Sequence, residues 1–376
     1  MRILTAGESH GEFESAIIEG FPCGVTIDEN PINHELSRRQ AGYGRGKRMA
    51  IESDHVKIVS GLRNKITLGS PITLLVRNSD HKIFTQGKDD LPAITLPRPA
   101  HADLAGIFKY GGKDCRNILE RASARETVAR VACGSLCKQF LNNFDIKIAS
   151  FVRSLGKVEC KKNPENIEEI TAKTKNSQTG CLDDVKAREM IRLIDGAAKK
   201  GDSLGGIAEI WIDGVVPGVG SFMQYDKRFD AQFAAALMGI PAVKGVEVGL
   251  GFEYARMPGS TSHDEIFYNS AKGFYHKTNH SGGIEGGMSN GEAIVLRMAV
   301  KPIATLLEPL NSVDINSKKS AKAAVVRSDT CAVLAAGVIA ESMAAIVVTQ
   351  AILEKFGGDS LKEISANYKN YVKGLR

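Results

Sequence analysis

The stretch RASARETVARVACGSLCKQF, residues 121–140, decides the architecture. Ser123 and Glu126 form Ser-x-x-Glu, the signature of a capping box in which each side chain satisfies a backbone N–H at a helix start. Behind it Val128, Val131, Ala132, Leu136 and Phe140 recur at helical spacing, which predicts a helix with one stripe facing a core. Arg121 and Arg125 then stand beside the free N–H groups of the first turn. Cations, N–H donors and the positive end of the helix dipole together favour a phosphate or carboxylate there. From these residues alone an ordinary capped helix with solvated arginines is the plainer reading, because capping boxes are common. The rest of the chain shifts the balance.

The 376 residues are 43% hydrophobic and 24% charged, the mix of a globular protein rather than a disordered one. A net charge of +6 suits an anionic small substrate at least as well as nucleic acid, whose binders concentrate charge in strongly basic patches. Seven scattered cysteines without a C-x-x-C pair indicate neither zinc nor a disulfide framework and fit a reducing cytosol. No metal site is expected. The opening MRILTAGESHGE has no apolar h-region, so no signal peptide is read there. The apolar run 331–353 approaches the length of a membrane span. It carries Glu341, whose charge would cost at least ~2.5 kcal/mol at the bilayer centre, so a helix enclosed by protein is expected.

Outward from the central helix, residues 17–27 and 56–76 read as strands, 33–40 as a short helix, and 102–110 as another. Residues 147–159, 207–212, 243–248 and 292–300 read as strands, and 185–200 and 229–238 as helices. Segment 161–184 reads as polar loop. With no internal repeat or long linker, 1–376 is taken as one domain.

Several loops carry ligand-like chemistry. His10 lies in GESHG (7–11) on a turn, and His101 follows Arg98 in RPAHAD (98–103). Arg38, Arg39, Arg45, Lys47 and Arg48 place five cations among Gly42, Gly44 and Gly46, which allow the backbone to fold closely round an anion. A solvated basic loop and a nucleic-acid patch are the other readings; the single tyrosine weakens base stacking. In HSGGIEGGMSNGE (280–292) Gly282, Gly283, Gly286, Gly287 and Gly291 suit a backbone wrapped around a planar or phosphorylated ligand. Met288 stands where a P-loop needs lysine, and no strand leads into G-x-G-x-x-G. Asp329 before the buried helix is read evenly as an N-cap or a functional group.

Together with GDSLGG (201–206), AVKGVEVGLGF (242–252), KPIAT (301–305) and RSDTC (327–331), these motifs resemble the chorismate synthase family almost end to end. The resemblance implies an α+β fold, a β-α-β sandwich of antiparallel sheets and helices, assembled as a homotetramer. It implies an anti 1,4-elimination of phosphate from 5-enolpyruvylshikimate 3-phosphate (EPSP) that gives chorismate. Reduced FMN is required without net redox change, and the flavin is reduced by NADPH or by a separate flavin reductase. By position His10 and His101 match the two proton-handling histidines, and Asp329 the aspartate that acts with the flavin in removing the substrate proton. FMN contacts fall on Arg121, Ala122, Ser123, Pro241, Ala242, Gly286, Lys301, Pro302, Ile303, Ala304, Thr305 and Arg327. Substrate contacts fall on Arg39, Arg45, Arg48, Arg98, Arg125 and Arg327, the first two also matching NADPH positions. The chain departs from the family pattern at Ala100 (a common glycine), Pro241 (a common Asn or Gln) and Ser328-Asp329-Thr330 (a common His-Asp-Pro). A conventional FMN oxidoreductase acting on an anionic substrate is the alternative, and neither nucleic acid nor membrane is expected as partner.

Overall fold

The computed structural model describes residues 1–45, 54–79, 81, 92–270, 273–325 and 329–375. The first sheet comprises β1 (Arg2–Ala6), β2 (Phe13–Glu19), β3 (Val56–Ser60) and β4 (Ile72–Arg77), antiparallel in the order β1-β2-β4-β3. Its pairing sets Leu4 opposite Ile17 and Ala16 opposite Leu74, so Ala16, Ile18, Ile72, Leu74 and Val76 share the buried face.

Four helices follow in the first half: α1 (Glu29–Gln40), α2 (Asp103–Tyr110), α3 (Cys115–Ala122) and α4 (Thr127–Leu141). α1 begins four residues before the expected 33, because the Asp28 carboxylate accepts from Asn30 N–H and caps it there. α3 was not expected at all. Its Asp114 cap and the contact of Ile118 with Gly106 place it against α2.

The second sheet holds β5 (Lys147–Leu155), β6 (Val158–Glu159), β7 (Gly206–Asp213), β8 (Val243–Val248) and β9 (Ile294–Val300), antiparallel in the order β8-β9-β7-β5-β6. Around it lie α5 (Ile167–Thr174), α6 (Asp184–Lys199), α7 (Phe229–Met238), α8 (Val333–Phe356) and α9 (Leu361–Lys373). α5 corrects the expectation of loop over 161–184: Asn166 accepts from Glu169 N–H, and Ile167 and Ile170 are buried.

α4 and α8 are the helical filling between the two sheets. α4 packs on the buried face of the first sheet and α8 on the second, and the two helices pack on each other. Burial of α4 is therefore nearly all round, wider than the single stripe its spacing predicts. The helices approach so closely that a Cβ on Gly134 would lie 2.3 Å from Ser342 Cβ. α8 is long and apolar enough to cross a membrane, yet 83% of that window is buried inside the protein. Its buried Glu341 receives Arg38 (2.8 Å to each oxygen), Lys138 (2.6 Å) and the Ser150 hydroxyl (2.7 Å). Arg38, expected in a ligand-facing loop, is thus a core ion-pair partner near the C-terminal end of α1. The α+β sandwich of antiparallel sheets and helices is as expected.

Candidate active site

The loop between β1 and β2 carries His10, and α3 fixes it. Glu120 accepts from the His10 backbone N–H (2.9 Å) and contacts ring Nδ1 at 2.8 Å, while its carbonyl accepts from Ser9 N–H (2.9 Å). Asn78 donates to the Ser9 and Gly11 carbonyls, and the Ser9 hydroxyl donates to Ser123 Oγ at 3.1 Å. A carboxylate can only accept, so Nδ1 carries its hydrogen toward Glu120 and Nε2 is left for a ligand.

His101 is held in the same way at the entry to α2. Asp103 Oδ1 lies 2.6 Å from its Nδ1 and 3.0 Å from Arg98 Nη2, and Oδ2 accepts from Arg98 Nε (2.8 Å) and N (3.0 Å). Burial alone would raise the Asp103 carboxyl; the hydrogen bonds from His101 and Arg98 outweigh it and hold the group well below the usual carboxylate range. Arg98 Nη1 donates to Thr305 Oγ1 at 3.0 Å, tying this loop to 301–305. Arg98 is thus a brace inside the protein. Ala100 has φ +63°, a left-handed conformation that favours glycine, which accounts for the glycine common in the family at this position. The two histidine sites are linked by α3: Asp103 acts electrostatically on Cys115 at its start, and Glu120 stands near its end.

A line of arginines and aspartates forms a second charged group. Asp54 pairs with Arg39 and with Arg125, each at 2.8 Å, and Arg45 pairs with Asp329 at 2.8 Å. Burial most strongly depresses the Arg39 guanidinium; Asp54 opposes it, and Arg125 and Arg45 lie close enough to add to the depression. Arg39 Nε is buried without an acceptor among the described residues. Asp329 is not an N-cap, since α8 starts at Val333 behind Ala332 with no side-chain cap. Instead Thr330 N–H donates to Gly44 O and Leu204 N–H to Thr330 O, both at 2.8 Å, so the 201–206 loop and the end of the basic loop meet here. Arg48 and Arg327, with Ser328, lie outside the described residues.

The 301–305 segment joins these groups. Lys301 N–H donates to Ala242 O (2.9 Å), placing Pro241 and Ala242 beside it, and the Ser203 hydroxyl donates to Ile303 O (2.7 Å). Burial and then the neighbouring Lys244 depress the Lys301 amine, which has no anionic partner among the described residues. The glycine-rich segment serves mostly packing: a Cβ on Gly282, Gly283 or Gly287 would strike other parts of the chain at 2.4–2.8 Å. Only Gly286 of that set, exposed on the turn between Ile284–Glu285 and Met288–Ser289, has open space above it, and no contact brings it to the other candidates.

Arg121 and Ser123 also sit differently from expectation. Arg121 belongs to the last turn of α3, where a cation complements the negative helix end, and it donates to Thr5 O, Thr5 Oγ1 and Gly7 O. The capping box is absent: Ser123 N–H donates to Leu119 O, and Glu126 receives Arg130. Sequence reasoning did not single out Glu120, Asp54 or Asp103. Asp103 could have been found from its place in the Arg98 motif, but nothing in spacing marks Glu120 or Asp54. A cavity of about 440 Å³ beside Asp28, Ser60 and Lys65 contains none of these groups.

A family profile described as chorismate synthase matches residues 1–353. A chorismate synthase of Pelobacter propionicus is 52% identical over 390 residues, covering 100% of this chain and 99% of that protein. Chorismate synthase 2 of Bacillus cereus (strain ATCC 14579) is 49% identical over 388 residues, covering 99% of this chain and all of the relative. A crystal structure of chorismate synthase superposes with a TM-score of 0.83 at 43% identity, covering 100% of this chain and 98% of that one. Sequence and fold therefore agree, and the chain belongs to the chorismate synthase family of shikimate-pathway lyases.

Proposed function

We propose that the chain eliminates phosphate from EPSP in an anti 1,4 sense to give chorismate, with reduced FMN as cofactor. One observation carries the reading. Two histidines are each held through Nδ1 by a buried carboxylate, Glu120 for His10 and Asp103 for His101, and the same chain buries a cluster of arginines paired with Asp54. EPSP carries two carboxylates and a phosphate, which guanidinium groups match in geometry and charge. Arg39, Arg45 and Arg125 supply that charge here, with Arg48 and Arg327 assigned to the same task by resemblance. The acceptor-less Nε of Arg39 suits an anionic oxygen. His10 Nε2 donates a proton to the departing phosphate oxygen as the C–O bond breaks. Asp329, held by Arg45, accepts the proton leaving carbon on the opposite face. The electrons of that C–H bond form one new double bond, the intervening ring double bond shifts to the carbon that loses oxygen, and phosphate leaves with the C–O electrons.

The residues fit a flavin. Lys301 and its neighbour Lys244, without an anionic partner among the described residues, suit its phosphate. Arg121, Ala122, Ser123, Pro241, Ala242 and Lys301 to Thr305 would line it. When bound, reduced FMN lends electron density to the breaking C–O bond and recovers it. His101 holds a proton beside the flavin so that its anionic charge is balanced. Self-association into a homotetramer is supported by exposed apolar side chains on the outer face of the first sheet (Leu4, Phe13, Ile17) and on a hairpin carrying Ile266, Tyr268 and Phe274.

The test is an anaerobic assay with EPSP and chemically reduced FMN, following chorismate absorbance with and without NADPH. Turnover without consumption of reductant is expected. Stoichiometric NADPH oxidation per product would make the chain an oxidoreductase instead. With oxidised FMN, activity restored by NADPH alone assigns flavin reduction to this chain, and a need for an added reductase assigns it elsewhere.

A further inference from the structure

Glu14 lies on β2 with its side chain fully buried beneath the Gly7–Gly11 turn, and the mechanism above does not use it. Neither carboxyl oxygen has a hydrogen-bond partner among the described residues. Oε2 fills the space that a side chain on Gly7 would need: a Cβ there would lie 2.4 Å away. Arg121 Nη1 stands 3.7 Å from the same oxygen. That guanidinium also donates to Gly7 O at 3.2 Å and is 46% exposed. Arg121 therefore has Glu14 on its inner side and the candidate flavin segment, Ala122 and Ser123, directly after it in the chain.

A buried carboxylate without donors is costly and neutralises instead. Burial pushes Glu14 up to about 7; Arg121 and Arg125 pull against this, and Glu126 and Glu8 add to it. Among the described residues those four are the charged groups that act on it most, from the end of α3, the turn 124–126 and the Gly7–Gly11 loop. When Glu14 is ionised it cancels part of the Arg121 charge; when neutral it leaves the whole charge for a ligand.

We propose that Glu14 is a proton-linked control on Arg121, so that an anionic flavin binds there with uptake of one proton from solvent by the Glu14 carboxyl. An anion at Arg121 opposes ionisation of Glu14, and by reciprocity protonation of Glu14 strengthens the anion's binding. Affinity then falls as pH rises through the Glu14 transition, by up to about tenfold per pH unit while one proton is taken up per ligand.

The inference rests on the assignment of Arg121 to FMN, and the experiment separates the two. Flavin-free protein is titrated with oxidised FMN from pH 7.0 to 8.5, above the FMN phosphate's own second ionisation near ~6. Wild type should lose affinity with pH, whereas Glu14→Gln, isosteric and permanently neutral, should bind tightly and without slope. Calorimetry in two buffers of different ionisation enthalpy should show proton uptake in wild type that Glu14→Gln lacks. Carbon-13 NMR of the flavin-free wild type, which needs no variant, should show one glutamate titrating near neutrality, moved higher by FMN. Equal slopes in both proteins, or every glutamate titrating in the ordinary range, overturns the inference. If Arg121→Ala leaves FMN affinity unchanged, the assignment of Arg121 has failed and the inference with it. If Arg121→Ala weakens FMN but Glu14→Gln keeps the wild-type slope, Glu14 alone is misassigned.

Discussion

Replacing Asp103 by asparagine tests the lock on His101 most directly. Oδ2 accepts from Arg98 N and Nε, and Oδ1 accepts from Arg98 Nη2 and His101 Nδ1. Whichever way the new amide turns, its NH₂ group faces two donors, so two of four contacts are lost with the negative charge. Charge-assisted hydrogen bonds are worth about 1.5–3 kcal/mol each. Breaking a buried ion pair costs about 3–5 kcal/mol, so the two routes agree at roughly 4 kcal/mol. Unfolding entropy near 2.1 cal/mol/K per residue gives roughly 0.8 kcal/mol/K for 376 residues, so the melting temperature should fall about 4–6 °C. Because the Asp103 carboxyl is held below its unfolded value, its stabilisation is complete above about pH 4 and fades only in stronger acid. The deficit should therefore be constant from pH 8 to pH 5. With the negative charge gone, and the acceptor too where the NH₂ group faces the ring, the imidazole is no longer fixed in one tautomer, and kcat should fall ~10²-fold or more. His101→Ala should add little in the Asp103→Asn background, since both disable one unit. A variant that melts within about 1 °C of wild type and keeps kcat within about twofold would refute the lock.

Glu120→Gln should lower kcat while FMN affinity, read by fluorescence titration, holds, because Glu120 touches the histidine loop and not the 301–305 segment. Loss of FMN binding in proportion to kcat would show that Glu120 shapes the flavin site instead. Gly134→Ala should cost about 1–3 kcal/mol by overpacking, since the added methyl meets Ser342 Cβ, Cα and O at 2.3–2.5 Å; calorimetric melting checks it. Glu14, whose folded value is raised, stabilises the protein fully below about pH 4.5 and loses that contribution as pH rises through about 7. Denaturant titrations should show this decline in wild type and a flatter profile in Glu14→Gln.

The elements legible in the sequence are those whose cause is local. Phe229–Met238 and Val243–Val248 form where periodicity places them, and the long apolar helix is buried as its charge and length require. The loops that carry the family resemblance do carry both histidines and the arginine line. Illegible were the partners. Arg38 and Arg39 are neighbours in the chain, yet one turns to Glu341 in the core and the other to Asp54 beside the site. A helix turns about 100° per residue, so adjacent cations face different layers, and sequence shows the charge without the opposing group.

The Ser-x-x-Glu signatures at Ser123 and Ser360 show why local chemistry does not settle even a local motif. At Ser360 the box forms: Ser360 N–H donates to Glu363 Oε2 at 3.1 Å, and Glu363 N–H to Ser360 Oγ at 3.3 Å. There the chain arrives through Gly357 and Gly358, both with positive φ, so Ser360 N–H has no helical acceptor behind it. At Ser123 the chain arrives already helical. Leu119 O takes the Ser123 N–H, the reciprocal half of the box has no free donor, and Glu126 turns to Arg130. That same continuity puts Glu120 and Arg121 one turn before the break, where both reach the Gly7–Gly11 loop. The unrecognised α3 both cancels the expected cap and supplies the carboxylate that orients His10. Inserting a glycine between Ala122 and Ser123 should therefore cost His10 its fixed orientation before it costs the fold.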